Sequence, residues 1–411
     1  MAHDSIDLRN PERNRAHPIQ QMQSSPVPSR SRGWLNASDL VLAAGFSFTG
    51  AGTIMLGVLL PVLSLQWSLR DDAAGFLLFL QFGGSSLGAI FSGLRRLRCL
   101  RIGYALLVAA SGALAFAGPR SAFAIFFLFG LGLGISMTST SLLFSDRYEI
   151  DRAQKLEALN FAWSVGAMAG PVLFLPFLRI AHLRLLFFTF QAVFLFILLW
   201  TLLRERADHG LQQAAEQPAA KHASLGVVLV LLAMVIGSVG VETSLSGWLT
   251  TYVHRLGPES GAALFPAALL YFGVVLSRLL CSTPRFGKID PLRALQGLLW
   301  GTAGAVTLLI ALHGPVAVDA AAALAGLCIG PLYPLVLAFL LNRNSRGWIF
   351  AVAGMAAAVF PWFTGVLSAH FGSLRYGLMA PLAAAWLMAM LRPLLFRSAV
   401  RPAAESPSSS A

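Results

Sequence analysis

Twelve runs of about twenty mainly apolar residues follow one another along this 411-residue chain, and nothing else in the sequence restricts its fold as strongly. Such a run matches a bilayer's hydrocarbon core, about 30 Å thick. In lipid an open backbone amide has no water to bond, so each run must satisfy its hydrogen bonds internally as an α-helix. The predicted spans are 40–65, 73–94, 101–118, 121–144, 156–178, 183–203, 225–253, 260–281, 292–313, 317–341, 347–371 and 374–396. Breaks such as Gly118-Pro119-Arg120 and His313-Gly314-Pro315 leave room only for tight helical hairpins. Charged residues make up 12% of the chain, against about 25% in soluble proteins, so the expected class is all-α and integral to a membrane.

A formal charge of +12 raises nucleic acid as a partner, but the basic residues sit in the short breaks, where they read as topology. With the N-terminus inside, 24 of the 30 Lys and Arg fall on the cytoplasmic side. That bias predicts a multi-pass protein of a cell membrane, most simply a bacterial inner membrane, with both termini cytoplasmic and no nucleic-acid partner. Residues 1–37 and 398–411 read as disordered cytoplasmic tails, and no apolar signal region opens the chain. Cys99, Cys281 and Cys328 are far apart and form no metal-ligand pattern. No Gly-x-x-x-x-Gly-Lys-Ser/Thr loop and no His-Glu-x-x-His is present, which argues against ATP-driven transport, a membrane enzyme or a cofactor.

The longest internal polar stretch, 204–224, divides the runs into six and six, with expected bundles at 38–203 and 225–397 joined by a cytoplasmic linker. Internal echoes favour duplication. Thr53-x-x-x-Gly57 matches Thr243-x-x-x-Gly247, and Pro171 matches Pro361, both at an offset of 190 residues. Gly130-Leu-Gly-Leu-Gly134 is echoed by Gly326-Leu-Cys-Ile-Gly330 in the corresponding helix of the second half.

Among the acidic residues, Glu242 stands alone in mid-segment. An ionised side chain at membrane depth costs at least roughly 2.5 to 3.5 kcal/mol, so it must face a bundle interior, a partner or a wet cavity. Its surroundings, Gly240-x-Glu242 followed by Gly247-Trp248-x-x-Thr251-Tyr252, resemble the seventh-helix signature of the fucose permease-like branch of the major facilitator superfamily. The stretches Gly354 through Phe360-Pro361-Trp362-Phe363-Thr364-Gly365, Gly330-Pro331-x-x-Pro334, and Leu159-Asn160 with Gly166-x-x-x-Gly170-Pro171 resemble it too, over about residues 38–397.

The resemblance implies a major facilitator fold, 12 transmembrane helices in two six-helix bundles. It further implies secondary transport of a small neutral solute, a monosaccharide by preference, with a proton as candidate co-substrate. Alternating access between two halves needs polar groups at the midplane, and a sugar suits forked hydrogen bonds beside an aromatic face. The candidate substrate-binding residues are Gln81, Asn160, Trp163, Glu242, Trp248, Tyr271, Tyr333 and Trp362, with Glu242 also the candidate proton carrier. Arg278 reads as a snorkelling or loop charge.

The departures are specific. The family's loop signature after helix two resembles Gly88 to Arg101, but Leu97 and Leu100 replace its acidic residue and glycine, leaving Arg98 and Arg101. The second copy keeps Arg285-Phe286-Gly287-Lys288, so Arg98, Arg101, Arg285 and Lys288 are the expected conformational-loop residues. Gly57 and Met137 stand where fucose permeases carry acidic residues in helices one and four, so proton coupling here would have to run elsewhere. An exporter of an amphipathic compound and a transport-inactive sensor are the rival functions.

Overall fold

The computed structural model describes residues 37–92, 96–148, 152–178, 182–204, 225–256, 265–281, 289–341 and 348–399. The described residues from Val41 onward form one compact unit. Every regular element among the described residues is helical: α1 (Ala37–Trp67), α2 (Asp71–Ile90), α3 (Arg96–Leu114), α4 (Pro119–Arg147), α5 (Arg152–Phe174), α6 (Leu183–Leu203), α7 (Leu225–Leu256), α8 (Phe265–Cys281), α9 (Pro291–Ala311), α10 (Pro315–Ile329), α11 (Leu332–Leu341), α12 (Trp348–Phe371), α13 (Leu374–Gly377) and α14 (Met379–Ala399). Among the described residues, eleven stretches are long and apolar enough to cross a membrane, and α8, with 17 residues, is a shorter apolar helix. The expected tails and nearly all of the 204–224 linker lie outside the described residues.

Two predicted spans are interrupted. The tenth breaks between α10 and α11 at Gly330-Pro331, because a proline has no amide hydrogen and its ring crowds the preceding turn. The helices resume through Gly330 N–H to Gly326 O at 3.0 Å and Leu335 N–H to Pro331 O at 3.1 Å. The twelfth splits into α13 and α14 at Leu378, where Pro381 cannot donate to the carbonyl of Gly377 four residues back. Pro61, Pro171 and Pro361 lie within α1, α5 and α12.

The two halves pack alike. In the first, α2 lies on α4, and α3 on α4 and α6; in the second, α8 lies on α10, and α9 on α10 and α14. Glycine makes these approaches possible. A Cβ at Gly130 or Gly134 of α4 would run into the backbone carbonyls of Gln81 and Ser85 on α2. At Gly326 of α10 it would meet Leu270 O of α8, and at Gly330 the Ser277 hydroxyl. With lipid tails as apolar as leucine, such close backbone contact is what holds membrane helices together. The echoed glycine motifs therefore fall at equivalent contacts. Between the halves, α2 packs on α12 and α5 on α8, while Gly57 of α1 presses against Ser246 and Gly247 of α7.

Candidate functional site

The polar residues of the second half converge on one part of α7. Glu242 is half-buried there, within a helix whose next ten residues, apart from Thr243, are buried. The field of Arg278, on α8, acts on its carboxylate, and that of Glu242 acts on Tyr271 of α8 and Tyr333 of α11. Tyr271 and Arg278 are seven residues apart, two helical turns, and so lie on one face of α8. Helix α5 closes the site from the other half. Trp163 meets Tyr271 edge-on, with ring centroids 6.0 Å apart at 76°, and its buried Nε1 has no hydrogen-bond partner among the described residues. Arg278 crosses to α5, where its Nη1 donates to Asn160 O at 3.0 Å and to Ser164 Oγ at 2.6 Å.

Of the eight sequence candidates, Trp163 and Tyr271 are in ring contact, Asn160 takes a hydrogen bond from Arg278 on the same face of α8 as Tyr271, and Glu242 is within electrostatic reach of Tyr271 and Tyr333. Asn160 contributes its backbone carbonyl to Arg278, while the residue itself is exposed. The other three lie elsewhere. Trp248 is fully buried and its Nε1 donates to Pro361 O at 2.8 Å, tying α7 to α12. Gln81, 1% exposed, donates from Nε2 to Thr53 O at 2.7 Å and ties α2 to α1. Trp362 is exposed, its ring 5.7 Å from that of Phe79 on α2. Arg278, read from the sequence as a snorkelling or loop-interlocking charge, hydrogen-bonds α5.

The expected conformational loop is partly helix. Arg98, exposed, and Arg101 belong to α3, and Arg101 Nη2 donates to Thr201 O of α6 at 2.7 Å. Neighbouring Arg96 pairs with Asp146 of α4. These contacts stay within the first six helices. Arg285 and Lys288 lie outside the described residues.

A second inter-half contact escaped the sequence reading. At the end where α1 gives way to α2, Asp71 accepts two hydrogen bonds from Arg255 of α7, at 2.7 and 2.6 Å, and one from Ser368 Oγ of α12 at 2.6 Å. The Asp71 side chain is 12% exposed and that of Arg255 42%. A signal existed: an acid opens the second span while bases and hydroxyls end the seventh and eleventh, all at one membrane face. Which of these residues pair requires helix rotations that hydropathy does not carry.

No curated protein matches the chain. Among solved structures, a D-xylose-proton symporter superposes with a TM-score of 0.68 at 15% identity, covering 86% of this chain and 96% of its own. The nucleoside transporter NupG (a D323A mutant) superposes with 0.68 at 12% identity, covering 87% and 98%. A bacterial homolog of the human lysosomal transporter Spinster, inward-facing and occupied, superposes with 0.66 at 16% identity, covering 87% and 96%. At these identities the likeness is one of fold. The Major Facilitator Superfamily profile matches residues 42–346, about three quarters of the sequence, and the chain belongs to that family of multi-pass membrane transporters.

Proposed function

We propose that this chain moves a small neutral polar solute, a monosaccharide by preference, through the site between α5, α7, α8 and α11, with Glu242 carrying a proton as co-substrate. The reading is carried by a half-buried mid-segment carboxylate on α7 within electrostatic reach of Arg278, Tyr271 and Tyr333, beside the Trp163–Tyr271 ring contact and the hydrogen bonds from Arg278 to α5. One cation and one anion leave the site without net charge, which suits a neutral ligand. The tyrosine hydroxyls, the open Trp163 Nε1 and the carboxylate can exchange hydrogen bonds with hydroxyl groups, while the rings offer a face to C–H groups. The fucose permease-like stretches of α7 and α12 favour the sugar class. The distribution of Lys and Arg favours a cell membrane with cytoplasmic termini.

The test is uptake of labelled monosaccharides into proteoliposomes with and without a pH gradient. Accumulation driven by an inward proton gradient is expected. Glu242→Gln should abolish accumulation while leaving exchange across the bilayer. Uphill uptake unchanged in the variant would reject the proton role, and absence of flux for every monosaccharide would reject the sugar class.

A further inference from the structure

The two halves carry an arginine at equivalent points and treat it differently. Leu183-Arg184 opens α6, and one repeat further on Leu374-Arg375 opens α13. In the second half α9 ends at Ala311, and just beyond it His313 Nε2 accepts a hydrogen bond from Arg375 Nη1 at 3.3 Å. In the first half α3 ends at Leu114 and runs into Ala115-Phe116-Ala117, which offers no such side chain. Arg184 instead borders a cavity of about 350 Å³ between the ends of α1 and α3 and the start of α6. Leu63 and Phe187 wall it on the buried side, and Gln66, Trp67 and Phe116 stand on the more open side.

Among the described residues no carboxylate pairs with Arg184, and Arg184 is the only charged residue of the cavity lining. The acids that begin α2 at this face are engaged elsewhere, Asp71 by Arg255 and Ser368 and Asp72 by Arg70. The Arg184 guanidinium carbon lies 5.7 Å from the centre of the Phe116 ring, which is 72% exposed and meets Phe188 edge-on at 5.9 Å. A cation over exposed rings at the ends of membrane spans stands where headgroups meet acyl chains. From there Leu185, Phe188 and Leu195 form an exposed apolar stripe along α6 toward the hydrocarbon.

We propose that this cavity binds one anionic phospholipid, its phosphodiester held by Arg184 and its acyl chains laid along the exposed stripe of α6. The forked N–H donors of a guanidinium match phosphate oxygens. The space is that of about ten water molecules, enough to admit a headgroup while the chains stay outside. An anionic headgroup neutralises the cation. A zwitterionic one brings an ammonium of its own, for which the lining holds no carboxylate. Glycerol hydroxyls can exchange hydrogen bonds with the Gln66 amide. Where His313 gives Arg375 an acceptor from the protein, the bilayer gives one to Arg184. None of these residues belongs to the solute site, so the assignment stands apart from the transport reading.

The test uses the full chain purified in mild detergent, with phosphatidylglycerol as probe and phosphatidylcholine of the same acyl chains as control. Native mass spectrometry counts retained lipid, and the thermal unfolding midpoint reports the stabilisation that a bound lipid confers. One phosphatidylglycerol should be held about fivefold more strongly than phosphatidylcholine, the worth of one basic residue near a charged membrane surface. Arg184→Gln should lose that preference, and Arg184→Lys should keep most of it. Ala117→Phe, which fills the cavity without changing charge, should lose the bound lipid. Arg375→Gln, at the equivalent position served by His313, should behave as the parent. Equal retention of the two lipids by the parent, or an unchanged preference in Arg184→Gln, overturns the assignment. Displacement of the lipid by inorganic phosphate at the same concentration overturns it in favour of a soluble anion.

Discussion

At the scale of single residues, chemical type was a poor guide to role and surroundings were decisive. Trp248 and Trp163 are both indoles in the middle of membrane helices. Trp248 has its Nε1 taken by Pro361 O, and Trp163 keeps its own open beside Tyr271. Trp248→Phe would remove a buried hydrogen bond between α7 and α12 and should lower stability by about 1 kcal/mol, read as an earlier thermal unfolding midpoint, with the solute KM unchanged. Trp163→Phe removes an unpartnered donor from the site and should raise KM with little loss of stability. An equal KM for the two variants would refute the division of roles. Gln81 falls between the two, since its Nε2 serves Thr53 O and joins α2 to α1 while its buried Oε1 has no hydrogen-bond partner among the described residues.

At the scale of elements, the helices are set by which glycines have a neighbour where a Cβ would go. At Gly57 the space is taken by Ser246 and Gly247 of α7, whereas at Gly297 of α9 nothing lies within 4 Å. Gly57→Ala should thus push α1 from α7 at that end and favour the conformer in which this end is open, seen as faster labelling of a cysteine placed at Ser246. Gly297→Ala should be harmless or stabilising by up to about 1 kcal/mol, the helix propensity difference. Comparable labelling rates in the two variants would show that the α1–α7 approach does not gate access. The breaks at Gly330-Pro331 and Leu378 are also element-scale features, and each has its proline in the sequence. A 19-residue hydropathy window passes over them because proline and glycine interrupt hydrogen bonding without changing apolarity.

At the scale of the whole molecule, the halves meet through α2 on α12, α5 on α8 and the Asp71–Arg255–Ser368 contact. An exposed ion pair is worth about 0.2 to 1 kcal/mol, but here a bidentate guanidinium and a hydroxyl share one carboxylate of low exposure. Asp71→Asn should shift the population toward opening at this end. The Asp71→Arg, Arg255→Asp exchange should restore part of the parent distribution, with a coupling energy of about 0.5 to 3 kcal/mol from the double-mutant cycle. Additive single effects would mean that the contact does not bias the equilibrium.

What the sequence by itself determined is whatever depends on neighbours along the chain: the apolar spans, the six-and-six repeat of glycine and threonine motifs, and the placing of Glu242 in the middle of a span. These follow from local rules, since an apolar run of membrane length can satisfy its backbone only as a helix. Trp163 and Tyr271 were legible as mid-span aromatic residues, but not their ring contact. Tertiary structure alone decided which face each helix turns toward its neighbours. It buried Trp248, joined Gln81 to α1, carried Arg278 to α5, and paired Asp71 with Arg255 across 184 positions of sequence. Lipid and protein interior are alike apolar, so hydropathy leaves a membrane helix free to rotate about its axis. The rotation is settled by small-residue contacts and polar pairings that exist only once the helices have met.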